Sequence, residues 1–538
     1  MRVQLFAAIT AILLVSSTAA TTDPGTVKFD IVREKRLPGT INLFKHRHRH
    51  RLAKRATGVS NTVQQILDNY DYLYYANVSV GTPGQNLRLQ IDTGSSDIWV
   101  QSGENIFCQE SSNPCNETGI FEPQNSSTYS KISDNFYIAY GDGSYARGDY
   151  AYDTFDIGGA AVKNLTIAVA TDANTTEGIM GIGYPTNEAV VSGYGSSYQY
   201  KNLPDLLVEQ RFIQSRAYSL WLNDLEASTG SILFGGVDRA KYSGNLVELP
   251  IDLYTGESQP SEFFVTLDGV GYTNADGSRN EMVSNMGEPV LLDCGTSFNY
   301  LPDGAFRAIA NALSASYNAR LGYYVQSCTV TSVNASIDFY FGGVTIKVPL
   351  REILYPAVTS SGRQLTFSNG QPVCLLTVAS NSDLGVSILG DTFLRSAYVV
   401  YDLDNNVISL AQTVFNETKS DIVAIGTGAT AIPGAIPASS NARLTLSTSA
   451  LTSAFGTEVS ATDSSAISSP LSVTASGSGS ATTETFSRTS SSSLISSSSA
   501  SISGAAGSDG NNGSARVLLG VCVAITVAFV CGWVTFGL

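Results

Sequence analysis

Histidine is nearly absent from this chain. Its 538 residues hold three, all in one short run, His46, His48 and His50. If that run is cut away during maturation, no imidazole remains, and Ser/His/Asp triads, Cys/His dyads and His-ligated zinc are excluded together. Positive charge is also scarce: 31 Lys and Arg stand against 46 Asp and Glu, a net charge of −15. Counterion-release binding to nucleic acid needs a basic face, so a polyanionic partner is excluded. Charged residues make up only 14% of the chain and hydrophobic residues 43%, over a length sufficient for more than one domain. Carboxylates, hydroxyls, amides and lysine are left to carry any chemistry.

The ends read as processing and targeting segments. Residues 1–20 have a basic Arg2, an apolar stretch from Leu5 to Val15 and small residues up to Ala20, the pattern of a cleaved secretory signal. Residues 21–55 carry ten Lys or Arg against Asp23, Asp30 and Glu34, and end in Lys54-Arg55, a dibasic processing site. The chain from Ala56 onward keeps 20 basic and 43 acidic residues, so a cationic propeptide facing an anionic body is expected to dock on it as an inhibitor. Near the other end, 31 of the 60 residues 441–500 are Ser or Thr, too polar to bury a core and readable as an O-glycosylated stalk within 416–515. Small residues from Gly504 to Ser514 then precede an uncharged run, Val517–Leu538, so that 516–538 has the pattern of a GPI-attachment signal.

Five cysteines lie between these ends. In a secreted chain two bridges are expected, Cys108 with Cys115 across a short loop and Cys328 with Cys374, leaving Cys294 free. Sequons at Asn77, Asn116, Asn125, Asn164, Asn174, Asn334 and Asn416 suit a glycosylated extracellular protein.

Between about residues 70 and 415, short β-type runs alternate with Gly, Asn, Asp and Pro turns, so the body is mostly β. It is also duplicated. Leu89-Gln90-Ile91-Asp92-Thr93-Gly94-Ser95-Ser96 returns about 200 residues later as Val290-Leu291-Leu292-Asp293-Cys294-Gly295-Thr296-Ser297. Each copy is followed by an apolar-apolar-Gly element, Gly178–Gly183 and Ser387–Asp391. In such a unit a strand delivers an Asp into a tight turn whose glycine lets backbone amides approach the carboxylate and whose next hydroxyl can bond it. Two like lobes, 56–245 and 246–415, would bring Asp92 and Asp293 together at a cleft.

On these residues the chain resembles the pepsin-like aspartic proteases, over nearly all of 70–415. Ile98-Trp99-Val100, the hairpin Tyr140-Gly141-Asp142-Gly143-Ser144, Ile388–Arg395 and Tyr401-Asp402 extend the likeness. The processing site, stalk and tail bring it closest to fungal GPI-anchored cell-surface enzymes of the yapsin and candidapepsin type.

The resemblance implies a bilobal β fold and an endopeptidase, monomeric and free of cofactor and metal, acting on polypeptides. It is expected at the outer face of the plasma membrane or in the cell wall. Two carboxylates in contact cannot both ionise easily; the pair shares one proton over an acidic range and activates a water. Ser95 and Thr296 are implied to bond the outer carboxylate oxygens, Gly94 and Gly295 to supply amides, and the Tyr140 hydroxyl to lie near the Trp99 indole on a flap with Gly141, Asp142 and Gly143. Thr93 supplies one half of a grip between the lobes. Cys294 stands where the family has Thr or Ser, and a thiol is a weaker donor, so a softened grip with activity retained is expected. Asp142 is the candidate selector for a basic residue before the scissile bond. A glycosidase also uses two carboxylates, but with a wider separation.

Overall fold

Strand alternation carries the first motif to its place. In the strand Gln85–Asp92, Leu87, Leu89 and Ile91 are buried while Asn86 is exposed and Arg88 half-buried, the period of two that a pleated strand imposes. At its end the alternation stops, and Gln90, Ile91 and Asp92 are all buried. That is the pattern of a strand covered on both faces. The computed structural model describes residues 60–70, 73–359, 363–439 and 444–446. The segments read as signal and propeptide, with Lys54 and Arg55, most of the segment read as stalk and the terminal apolar run lie outside the described residues.

Gln85–Asp92 pairs antiparallel with Leu73–Val80 and parallel with Gly178–Gly181, where Asp92 stands beside Gly181. The second motif is built alike. Glu288–Leu292 pairs antiparallel with Phe264–Leu267 and parallel with Ser387–Leu389. Each Asp therefore leaves a strand held between an antiparallel neighbour and the apolar-apolar-Gly element of its own half. The glycines of those elements are needed for close approach: a Cβ on Gly181 would lie 2.7 Å from Asp97 O, and one on Gly390 would lie 2.2 Å from Thr296 O.

The two halves share a fourteen-stranded sheet. It runs from Ser130–Ala139 through Gln85–Asp92 and Val63–Tyr70 to Ala217–Trp221, Ala397–Asp402, Val407–Thr413 and Tyr242–Pro250. The lobe border expected at 245/246 falls inside Tyr242–Pro250, a strand of this common platform. Smaller sheets of five and four strands build the second lobe. One continuous apolar core reaches from Val63 and Phe121 to Phe339 and Leu410, so separation of the lobes would expose core surface to water.

The first residues of the segment 416–515, expected as stalk, are folded onto the body. Ile422–Ala424 pairs antiparallel with Gly236–Asp238, and Ala435–Pro437 runs parallel along Leu246–Glu248 at the sheet edge. Ile425, Ala431 and Ile432 are buried against Trp221, Leu246 and Tyr398, and the Lys241 ammonium lies 4.1 Å from the Trp221 ring while donating to Glu417 O at 2.5 Å. These apolar side chains complete a core that already exists.

The disulfides are Cys108–Cys115 and Cys328–Cys374, and Cys294 is free and buried. Six of the seven sequon asparagines are exposed. Asn77 is the exception, half-buried within Leu73–Val80.

Candidate active site

Asp92 and Asp293 meet where the lobes join, and both are fully buried. Gly94 N donates to Asp92 Oδ1 at 2.8 Å, and Ser95 Oγ donates to Asp92 Oδ2. The other half repeats this with Gly295 N to Asp293 Oδ1 at 2.8 Å and Thr296 Oγ1 to Asp293 Oδ2 at 2.5 Å. The two carboxylates are themselves in hydrogen-bond contact. Gly94 is sterically fixed, since a Cβ there would lie 2.9 Å from the Asp293 Cγ. Burial raises the Asp92 carboxyl well above the ordinary range, and the neighbouring Asp293 raises it further. Burial raises Asp293 as well, opposed by the bonds from Thr296 and Gly295. A pair with this wiring holds one proton between two acids. Contact this close leaves no room for the wider spacing that a glycosidase uses.

The side chains of the interlobe grip come from the first lobe alone, Thr93 and Gln90, met by backbone groups of the second. Thr93 Oγ1 donates to Leu292 O at 3.0 Å and accepts from Cys294 N at 2.9 Å. Gln90 Nε2 adds a further bond across, to Gly295 O at 3.1 Å. Burial pushes the Cys294 thiol well up, so it stays protonated and is no nucleophile. Cys294→Thr is expected to raise stability by about 0.5–1.5 kcal/mol by supplying the missing hydroxyl donor. Thermal unfolding at acidic pH measures this; a lower midpoint would mean that the pocket is shaped for sulfur.

Tyr140 ends one arm of the hairpin Ser130–Ala139/Tyr145–Ile157, and its hydroxyl accepts from Trp99 Nε1 at 2.7 Å. It is buried within electrostatic reach of Asp92. The turn closes by Tyr140 N to Ser144 O at 2.8 Å, with Gly143 at φ +83°, a conformation that favours glycine. Gly141, Asp142 and Gly143 are half-buried. Asp142 Oδ1 accepts from Ser144 N at 2.8 Å. Burial raises its carboxyl, the Ser144 bonds oppose this, and Glu177 adds to the rise.

Asp97 is the residue that sequence reasoning passed over. It is buried and accepts from Tyr150 OH at 2.9 Å, Tyr200 OH at 2.8 Å and Ala189 N at 2.7 Å, tying the segment 189–200 to the wall behind Trp99. Its partners lie 53, 103 and 92 residues away, so no local pattern announces it. Among the described residues, no group of three or more His, Cys, Asp or Glu is arranged to hold a metal ion.

Two like β lobes, each presenting an aspartate held by its own glycine amide and hydroxyl, define the pepsin-like aspartic protease domain. The model of the eukaryotic aspartyl protease family matches residues 73–413, and the chain belongs to that family. Among its relatives is an Aspergillus oryzae protein named "Probable aspartic-type endopeptidase opsB", 44% identical over 375 residues, 70% of this chain and 75% of that one. "Aspartic proteinase yapsin-3" of Saccharomyces cerevisiae is 39% identical over 398 residues, 72% and 74% of the two chains. "Secreted aspartic protease 6" of Candida albicans is 40% identical over 369 residues, 67% and 80% of the two chains. The protein is thus an aspartic-type endopeptidase, homologous to the fungal yapsin and opsB proteases.

Proposed function

We propose that the protein is a cell-surface endopeptidase that works at acidic pH through Asp92 and Asp293 and prefers a basic residue before the scissile bond. The observation that carries the reading is the contact between two buried carboxylates, each with its own amide and hydroxyl donor. The protonated partner donates to the scissile carbonyl oxygen while the ionised partner takes a proton from the attacking water, whose oxygen bonds to the carbonyl carbon. The tetrahedral species then collapses as the leaving nitrogen gains a proton from the pair. Acid and base belong to the pair as a unit. Tyr140 and Trp99 hold the flap that closes over an extended peptide.

The basic preference rests on Asp142, half-buried on the flap turn, and on the excess of acidic residues beyond residue 55, whose field concentrates cationic peptides. The surface location rests on the signal-like and GPI-like ends of the sequence and on the secreted relative. Inhibition by the basic propeptide rests on the charge contrast alone.

The test uses the purified full-length protein at about pH 4 with a peptide containing a single Lys, with and without pepstatin. Pepstatin-sensitive cleavage after Lys is expected, and no turnover between pH 3 and 7 from a folded sample would refute the reading. Asp142→Asn is expected to lower kcat/KM for that peptide about tenfold or more, while a Leu peptide changes less than about threefold. Equal losses on both peptides would remove Asp142 as the selector. Release of activity from intact cells by a phosphatidylinositol-specific phospholipase checks the anchor.

A further inference from the structure

Asn174 follows directly on the strand Ala160–Ala173, and its side chain meets the flap turn. Its Oδ1 accepts from Tyr145 N at 2.8 Å, its Nδ2 donates to Gly143 O at 3.2 Å, and its own backbone N donates to Tyr145 O at 3.4 Å. The carboxamide has one orientation here, because Tyr145 N can only donate and Gly143 O only accept. Among the described residues, the other hydrogen bonds of the turn 141–144 run within the hairpin: Tyr140 N to Ser144 O, Gly143 N to Tyr140 O, and Ser144 N to Asp142 Oδ1. Asn174 therefore ties the turn to the body. The body side of the tie is itself held. The carbonyls of Ala173, Thr175 and Thr176 accept from Asn105 Nδ2 at 3.3 Å, Gln101 Nε2 at 2.7 Å and Thr118 Oγ1 at 2.7 Å. Those three donors belong to buried residues, whereas Asn174 is exposed.

Asn174-Thr175-Thr176 is also a glycosylation sequon, and sugar transfer uses the same nitrogen. There Nδ2 attacks C1 of a lipid-diphosphate-linked oligosaccharide: the N–C1 bond forms, the C1–O bond breaks, the lipid diphosphate leaves with the bonding pair, and the amide gives up one proton. One N–H remains. Gly143 O and Tyr145 N are joined through a single residue, so both lie on one side of the carboxamide, and the hydrogen that meets Gly143 O is the one beside Oδ1. A secondary amide is trans, which sets its substituent beside the oxygen and its hydrogen on the far side. The sugar takes the place of the hydrogen that Gly143 accepts. We propose that Asn174 is a latch on the flap and that N-glycosylation of its Nδ2 opens it.

With the latch shut, the turn is already fixed in the position where Tyr140 meets Trp99, so a peptide entering the cleft has less of the hairpin to order. With the latch open, that ordering falls on the binding step, and KM rises. The aspartate pair is untouched in either state, so kcat is kept. Asn174 is a positioning residue that acts through the flap, and the modified atom is the one that makes the contact. This role depends on the hairpin turn at 140–144 being the flap of the proposed endopeptidase.

The test uses the full-length protein secreted from a eukaryotic host, with sugar on Asn174 read by peptide mass spectrometry; an unmodified Asn174 in the parent overturns the proposal. Thr176→Ala destroys the sequon and leaves Asn174 in place, and Thr176 enters the contacts above only through its backbone carbonyl. Thr176→Ser keeps the sequon and serves as control. Hydrogen exchange over residues 140–150 needs no turnover, so its outcome is separate from that of the protease reading, which pepstatin-sensitive cleavage by the parent tests. Parent and Thr176→Ser are expected to exchange there about threefold or more faster than Thr176→Ala, and to show a KM about three- to tenfold higher at a kcat within about twofold. Equal exchange in parent and Thr176→Ala refutes the latch. Trimming the parent with an endoglycosidase that leaves the first sugar is expected to change neither quantity, because the substituent on Nδ2 stays. Recovery of the Thr176→Ala values on trimming would assign the effect to the bulk of the glycan and overturn the proposal. Adding Asn174→Ala to Thr176→Ala is expected to restore fast exchange and the higher KM, and a double variant that stays protected refutes the latch. If Thr176→Ala does not fold, Thr176→Val, which keeps the shape of threonine, takes its place.

Discussion

Asp293→Asn, and equally Asp92→Asn, is expected to lower kcat/KM by about a thousandfold or more, with the fold intact. Asn keeps the size of the side chain and can still accept from the Gly295 or Gly94 amide, so the loop geometry survives. It cannot hold or release the proton that the pair shares. Because the two carboxylates act as one unit, the double variant is expected to lose little more than either single one. Steady-state kinetics on one peptide, beside circular dichroism of each variant, decides this. A single variant that retained a tenth of the parent activity would mean that one aspartate suffices and that the paired mechanism is wrong. The parent profile is expected to be bell-shaped on the acid side of neutrality, its limbs belonging to the pair rather than to either residue.

The second large effect is a loss of stability as pH rises. Burial raises Glu188 from its ordinary value near 4.5 to about 10, and Glu262 from the same starting point to about 7. Asp97 and Asp391 are raised by burial as well. A carboxyl whose folded value exceeds its unfolded one binds protons more tightly in the folded state. Its contribution is complete below about pH 4 and fades as pH climbs toward the folded value. The window set by Glu262 runs from about 4.5 to 7, and that of Glu188 continues to about 10. The melting temperature is therefore expected to fall by roughly 10 °C between pH 4.5 and 8. Glu188 Oε2 accepts from Tyr200 N at 2.9 Å, a bond that the amide oxygen of Gln can also accept. Glu188→Gln should consequently flatten part of the slope while keeping that bond. Calorimetry across this range checks both statements, and a midpoint constant or rising to pH 8 would refute them.

Much of the site was legible because it is local. Asp92, Gly94 and Ser95 lie within four residues, and so do Asp293, Gly295 and Thr296; the bonds that hold each carboxylate are made inside its own turn. Duplication made the pattern stand out, and the near absence of histidine removed the rival chemistries. The flap was expected only from the resemblance of Tyr140–Ser144 to the hairpin of the pepsin-like family. Asp97 and Asp391 were not readable in function. Their surroundings are assembled from segments far apart in the chain, and neither position differs by type from a solvated turn aspartate.

The end of the folded body shows the same division. Residues 416–439 follow the last lobe element that the sequence marks, yet three of their apolar side chains, Ile425, Ala431 and Ile432, fill a depression lined by Trp221, Leu246 and Tyr398. Burial depends on what lies opposite, which composition does not record. The sequence by itself determined the chemistry: two aspartates, each with a glycine amide and a hydroxyl in its own turn, and histidine confined to one run at 46–50. Only the tertiary structure decided how the carboxylates are charged, which buried acids surround them and where the body stops. Those properties follow from desolvation and from contacts between residues remote in sequence, and both exist only once the chain has closed on itself.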